Sequence, residues 1–305
     1  MNHPAMKPRP DRPHAAAPTP VPIQPREKLN FGLDGDLPRY WVHGDPFKSR
    51  FFDAMSTLFP VGERFFITSV RHYRERITDA HLQAEVRDFI RQEGQHTMVH
   101  TQFNNRLKEQ GIDVDAILAK QEDLLFGRIA KHMPKVYCLA MTAALEHLTA
   151  MMCTTFFERR DLLQGCDPRV RAMYAWHAVE EVEHKAVAFD VYKKVAKGSY
   201  LLRALVMAQV TLGFPIQVAL IMNRMLKADG FNFGQRTRLW LRGLWWFWKP
   251  GGLFPPALRY YFAYYRPGFH PWQLQEMPSY QTWATTFERT GDPIAAGNAL
   301  HEAGA

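Results

Sequence analysis

The chain has 305 residues, 47% of them apolar, so it can bury a sizeable core of which a bundle of about 150 residues would use only half. Its three cysteines, Cys138, Cys153 and Cys166, form neither a Cys-x-x-Cys pair nor an even framework, which excludes a disulfide scaffold and fits reduced thiols in the cytoplasm. The balance of 38 Lys+Arg against 30 Asp+Glu gives +8, scattered and without a nucleic-acid module; no nucleic-acid partner is expected, and a basic surface facing a membrane explains the excess better.

Residues 1–27 hold eight prolines and no apolar run, so a secretory signal is not expected and a disordered or extended tail is. A first helix is expected from Asp45, with a kink or restart where Pro60 and Gly62 precede Glu63, and an apolar face continuing to about Arg76. A second should run from about Asp79 to Gln110 and stop at Gly111, where glycine is the common terminator. Residues 111–132 connect, with a short helix from Val114 to Phe126. Pro134 opens a third long helix; Asp167-Pro168, an N-cap followed by Pro at N1, opens a fourth, expected to last to about Ala196 and stop at Gly198. No segment alternates convincingly enough for a strand, so the expected fold is all-α.

Beyond Gly198 the character changes. Ala204 to Met222 is a run of 19 residues without formal charge, just long enough for a hydrocarbon core of about 30 Å, but interrupted by Gly213-Phe214-Pro215; it is expected as a fifth core helix or a membrane-inserted one. Residues up to about 289 then mix Trp and Tyr with Arg and Lys, the composition favoured at a headgroup boundary. The expected division is a tail over 1–27, a bundle over 28–198, a membrane-associated helical extension over 199–289, and a flexible polar tail over 290–305.

The chemistry is carried by spacing. On a helix turning about 100° per residue, His177, Glu181 and His184 fall within about 60° of arc. Glu93 and His96 repeat the Glu-x-x-His spacing of Glu181 and His184. Lone glutamates, Glu63 and Glu146, precede the two motifs by 30 and 35 residues, the separation of an antiparallel hairpin with its ligands at one height. A glutamate in an apolar setting such as M-T-A-A-L-E-H-L is costly to bury unless paired or metal-bound, and four converging carboxylates need cations to neutralise them. Glu63, Glu93, His96, Glu146, His177, Glu181 and His184 are therefore the candidate ligands of two divalent ions. Glu93 or Glu146 is expected to bridge them and to be the catalytic carboxylate. His100 and Glu180 are expected just outside, Glu180 holding the free nitrogen of a ligand histidine. Glu183 is expected on the surface and His147 in helix packing. Thr142, Ala143 and Thr149 would leave room for substrate beside Glu146.

This order of ligands resembles that of the ferritin-like di-iron carboxylate proteins, a four-helix bundle here with extra C-terminal helices. His-x-x-x-Glu-x-x-His is similar to the three-histidine set of the p-aminobenzoate N-oxygenase type. Over nearly the whole chain, including F-P-V-G-E-R-F-F, R-Q-E-G-Q-H, A-L-E-H and H-x-x-E-E-x-E-H-K, the sequence resembles the bacterial family of predicted metal-dependent hydrolases. The resemblance implies a metal centre more firmly than hydrolysis. Carboxylate-bridged irons with histidine on each suit O₂ activation, so the first expectation is a di-iron oxygenase or oxidase acting on an apolar, lipid-like substrate at the inner face of the membrane. No reductase module or cysteine cluster is visible, so an oxygenase needs an external electron donor. The alternatives are a hydrolase using manganese or zinc to activate water on an ester, amide or phosphoester, and a non-enzymatic iron-binding membrane protein. Whether the bundle pairs into a homodimer is open at this stage.

Overall fold

Asp45 accepts the backbone N–H of Lys48 and caps α1 (Pro46–Arg71), which runs through Pro60 unbroken; the expected restart at Gly62 does not occur. Proline has no N–H for the carbonyl four residues back, that of Ser56. The Asn104 side-chain amide donates to that oxygen instead, at 2.8 Å, and, two residues on, Gln121 donates to Leu58 O at 2.7 Å. The structure, a computed structural model, describes residues 21–158, 162, 165–274 and 278–302. Of the two expected tails, residues 1–20 and 303–305 lie outside the described residues.

After α1 come α2 (Ala80–Glu109), α3 (Val114–Glu122) with π-helical turns over Asp123–Ile129, α4 (Ala130–His132) and α5 (Lys135–Glu158). Then follow α6 (Pro168–His184), α7 (Val187–Asp190), α8 (Tyr200–Ala228), α9 (Phe233–Trp248), α10 (Leu258–Ala263), α11 (Pro278–Thr290) and α12 (Pro293–Glu302). The fold is all-α, with no strand among the described residues. Asp79 and Asp167 cap α2 and α6 as their sequence positions require. The fourth long helix stops at His184 rather than near Ala196, and the chain re-enters helix at Val187. Gly198 is demanded by packing: a Cβ there would lie 2.0 Å from the Tyr192 ring.

α1, α2, α5 and α6 close a ring of neighbours, α1 on α2 and α5, α6 on α2 and α5. Two apolar cores fill it. α1, and α6 continued by α7, run from the first core (Phe52, Leu58, Trp176, Val182) into the second (Phe65, Val70, Val187), whereas α2 and α5 run the other way. Each expected hairpin is thus antiparallel, and the polar layer sits where the cores meet.

The described parts of both expected tails are packed. Residues 21–27 run as an extended strap with the Arg26 side chain buried, and α12 lies on α6, close enough that a Cβ at Gly297 would meet Ala172 Cα at 2.8 Å. α5 and α8 are both long and apolar enough to cross a membrane, by length and composition. α5 is a core helix, 89% of its most apolar window buried. α8 buries one face (Val206, Met207, Val210, Met222) on α1 and α5 and leaves the other exposed.

Candidate metal centre

All seven side chains singled out in the sequence, Glu63, Glu93, His96, Glu146, His177, Glu181 and His184, are buried and converge on the layer between the two cores. Their donor atoms fall into overlapping groups within 4.8 Å: Glu93, Glu146, Glu181 and His184 in one, His96, His177 and Glu181 in a second, Glu63, Glu93 and His96 in a third. Glu93, Glu181 and His96 are each shared between these groups, and Glu63 and His177 meet again with His100 in a fourth, which is the pattern of adjacent metal positions rather than of one.

The electrostatics carry the strain of so many acids. Burial, then the neighbouring Glu93 carboxylate, pushes Glu63 well above the usual carboxylate range. Burial, then Glu181 and Glu93, does the same to Glu146, and burial raises Glu93. Burial also works against an ionised Glu181, but its contacts with His177 and His184 outweigh it and hold that carboxyl well below its ordinary value. His184 is raised despite burial, because Glu146, Glu181 and Glu93 surround it.

The three inner histidines each have one nitrogen taken from outside. His184 Nδ1 lies 2.8 Å from Gln92 Oε1, while Gln92 Nε2 donates to Glu183 Oε2 at 2.8 Å. The amide is therefore oriented to accept from Nδ1–H, leaving the Nε2 lone pair facing Glu93 Oε1 at 3.2 Å, Glu146 Oε2 at 3.4 Å and Glu181 Oε1 at 3.5 Å. His96 Nε2 meets Glu180 Oε2 at 3.1 Å, so its Nδ1 faces inward, 3.8 Å from Glu181 Oε1. The third relay begins at Pro60. Asn104 Nδ2 donates to Ser56 O, so Asn104 Oδ1 is left to accept from Ser56 Oγ at 2.8 Å. That hydroxyl accepts from His100 Nδ1 at 2.8 Å; His100 Nε2 then accepts from His177 Nδ1 at 2.8 Å, and His177 Nε2 faces Glu181 Oε1 at 3.2 Å. Thr149 Oγ lies 2.5 Å from Glu181 Oε2.

The inward atoms are without directed partners. Both oxygens of Glu63, Glu93 and Glu146, together with His96 Nδ1 and His184 Nε2, are buried and make no hydrogen bond. His184 Nε2 nevertheless approaches three carboxylate oxygens closely, as expected of atoms aimed at a common third point rather than at one another. This donor set fits divalent metal ions: hard carboxylates with imidazoles, lone pairs inward, ring tautomers held from outside.

His100 has both ring nitrogens occupied, by Ser56 Oγ and His177, and Glu180 meets His96. Glu183 is a correction. It is not on the surface but buried, accepting from Gln24 N at 3.0 Å, Arg26 Nη2 at 2.7 Å, Gln92 Nε2 and Tyr280 OH at 2.8 Å. Its spacing with Trp176, Glu180 and Val187 places it on a partly apolar helix stripe, a signal that could have found it. Arg26, which also reaches Glu180 Oε1 at 3.2 Å, had no such signal, lying in a stretch that reads as a loose tail. His147 packs as expected, its Nε2 3.1 Å from Tyr260 O between Tyr264 and Phe269.

A chamber of about 280 Å³ adjoins the centre, with Glu63, His177, Glu181 and Thr149 on its inner wall. Leu58, Phe66, Leu124, Leu145, Val210 and Phe214 make most of the rest apolar. Ala143 and Thr142 pack elsewhere; Thr142 Oγ meets Ser69 Oγ at 2.6 Å, so of the three small residues expected to make room beside Glu146 only Thr149 borders it.

Helical ligand layers, orphaned inward donors and externally fixed imidazoles define an all-α protein of metal-binding type. The chain belongs to the family of predicted metal-dependent hydrolases, whose model matches residues 24–275. No curated protein and no solved structure matches it.

Proposed function

We propose that the protein is a metal-dependent hydrolase with two divalent ions at the centre and a substrate whose apolar part occupies the adjoining chamber. The observation that carries this reading is the set of buried, mutually facing donor atoms without hydrogen-bond partners, in a chain whose family is described by metal-dependent hydrolysis. Glu63, Glu93, Glu146 and Glu181 with His96, His177 and His184 would hold the ions. Bound there, the pair would act as Lewis acid on the scissile group and lower the pKa of a water toward about 7. The chain's own residues do the rest. The Thr149 hydroxyl orients Glu181 on the chamber wall, and the aliphatic lining surrounds the apolar part of the substrate.

A second reading is oxidation of the same kind of substrate by O₂ at two irons. One observation favours it: every candidate ligand stands on a helix, three of them (Glu63, His177 and Glu181) bordering a largely apolar chamber, and mixed carboxylate–imidazole donors suit iron. That reaction draws electrons from a separate donor protein.

Elemental analysis of anaerobically purified protein, followed by p-nitrophenyl esters of graded chain length under nitrogen, separates the two. The hydrolase reading expects two zinc or manganese ions and cleavage without O₂, lowered about 100-fold or more in Glu146→Gln. About two irons, a new absorption band on admitting O₂ and no anaerobic cleavage would transfer the assignment to oxidation. A protein that retains no metal overturns both.

A further inference from the structure

α8 presents an uninterrupted apolar stripe to solvent. Leu201, Leu205, Leu212, Ile216 and Leu220 recur at spacings of four and seven and are all more than half exposed, Leu212 at 68%. α9, packed on α8, adds Leu241, Leu244, Trp245 and Trp248, with Trp245 at 66%. An exposed surface of this extent marks an interaction face.

Charge says what covers it. Between Tyr200 and Lys249 the only acid is Asp229, and it is fully buried against Arg39 and Arg50. The exposed charges of the segment are Arg224, Lys227, Arg238 and Arg242, all cationic. Two copies of this face would bring like charges together, whereas an anionic lipid surface complements them, and exposed Trp beside Arg suits the headgroup boundary.

The same face leads inward. A second pocket of about 200 Å³ shares Leu58, Gln121, Leu124 and Gln217 with the chamber at the metal centre. Leu220 of the stripe also lines it, and so do Lys120 and Arg224. Stripe, outer pocket and chamber are therefore neighbours in that order, the two pockets separated only by side chains they share, with two cations beside the outer one.

Resting on the reading of the chamber as a substrate site, we propose that α8 and α9 dock the protein on an anionic bilayer and that an acyl chain passes from it between α3 and α8 to the metal centre. The chain lies along the apolar chamber with its scissile bond at the metal centre, and an anionic group at its other end stays at Lys120 and Arg224. The substrate class is an anionic amphiphile with a single acyl chain presented at a membrane. An α8 that crossed the bilayer would need lipid on its buried face, which α1 and α5 occupy.

Flotation of the full chain with vesicles of phosphatidylcholine alone, or with 30% phosphatidylglycerol, tests the docking. Binding at least tenfold stronger to the anionic vesicles, weakened by salt, is expected, with a similar loss in Leu212→Glu/Ile216→Glu and in Arg238→Glu/Arg242→Glu. Circular dichroism and retained metal content show that each variant is folded. Equal binding to both vesicles, or unchanged binding by the variants, overturns it, as does a dimer in size exclusion that Leu212→Glu/Ile216→Glu dissociates. For the route, Gly213 lines the chamber, and a Cβ added there meets nothing within 4 Å, so a larger side chain has room to enter. Gly213→Phe should lower the affinity for a fluorescent long-chain fatty acid tenfold while flotation is unchanged; unaltered affinity overturns the route. Neither readout requires turnover, so these results stand apart from the assays of the metal centre.

Discussion

Three imidazoles turn a lone pair inward at this site because a group outside each takes the other ring nitrogen, and two of those outer groups depend on one arginine. Arg26 meets Glu180, which holds His96, and Glu183, which orients Gln92 and through it His184. Removing the guanidinium leaves two buried carboxylates short of their cation, so both relays lose their fixed geometry. Arg26→Ala is expected to weaken metal affinity 10–100-fold in competition with a chromophoric chelator, with partial recovery in Arg26→Lys. Unchanged affinity would mean that the strap only covers the bundle. His147 offers a separate test of burial. Its imidazole is pushed down from 6.5 to about 4 by burial, partly offset by its bond to Tyr260 O. The unfolded chain takes a proton below pH 6.5 that the folded chain refuses until about 4, so this contribution is complete above 6.5 and lost as pH falls through that window. At about 1.4 kcal/mol per pH unit the loss reaches roughly 3 kcal/mol. His147→Gln keeps a donor for Tyr260 O without the charge. The wild type should therefore lose about 3 kcal/mol relative to the variant between pH 6.5 and 4 in urea denaturation; parallel curves would show that His147 charges freely in the fold.

α1 shows how an element tolerates what its sequence argues against. Pro60 deprives Ser56 O of its helical donor, and Asn104 on α2 supplies another, which also fixes the direction of the Asn104–Ser56–His100–His177 relay. Asn104→Ala should cost about 1–3 kcal/mol, the penalty of an unsatisfied buried carbonyl, and distinctly less with Pro60→Ala, which restores the N–H. A double-mutant cycle measures the difference, and additive effects would deny the coupling. The sequence could not announce this repair, because the repairing residue lies 44 positions away and is an ordinary Asn in a polar helix. Caps and ligand positions were readable for the opposite reason. Asp45, Asp79 and Asp167 act within three residues, and the Glu-x-x-His repeats state their periodicity locally. Misread elements were those decided by packing: α6 ending at His184, α12 held against Ala172, and the strap at Arg26.

At the scale of the molecule, the two cores meet at a layer that is unfavourable by itself. Glu63, Glu93, Glu146 and Glu181 are buried together, and burial with mutual repulsion drives Glu63 and Glu146 toward their neutral forms. Divalent ions bound here would replace those protons, so metal binding and folding would draw on the same free energy. An ion at 100 times its Kd stabilises the native state by about 2.7 kcal/mol, which for a chain of this size raises Tm by about 5 °C. Metal-loaded protein should exceed chelator-stripped protein by at least that margin in calorimetry. Glu63→Gln and Glu146→Gln separate the two sides of the balance, since an amide imitates the protonated acid but ligates poorly. Each variant should leave the metal-free Tm unchanged or higher while shrinking the metal-dependent gain. If both substitutions lower the metal-free Tm and leave the gain intact, these carboxylates are structural acids satisfied within the fold, and the orphaned oxygens do not mark metal positions.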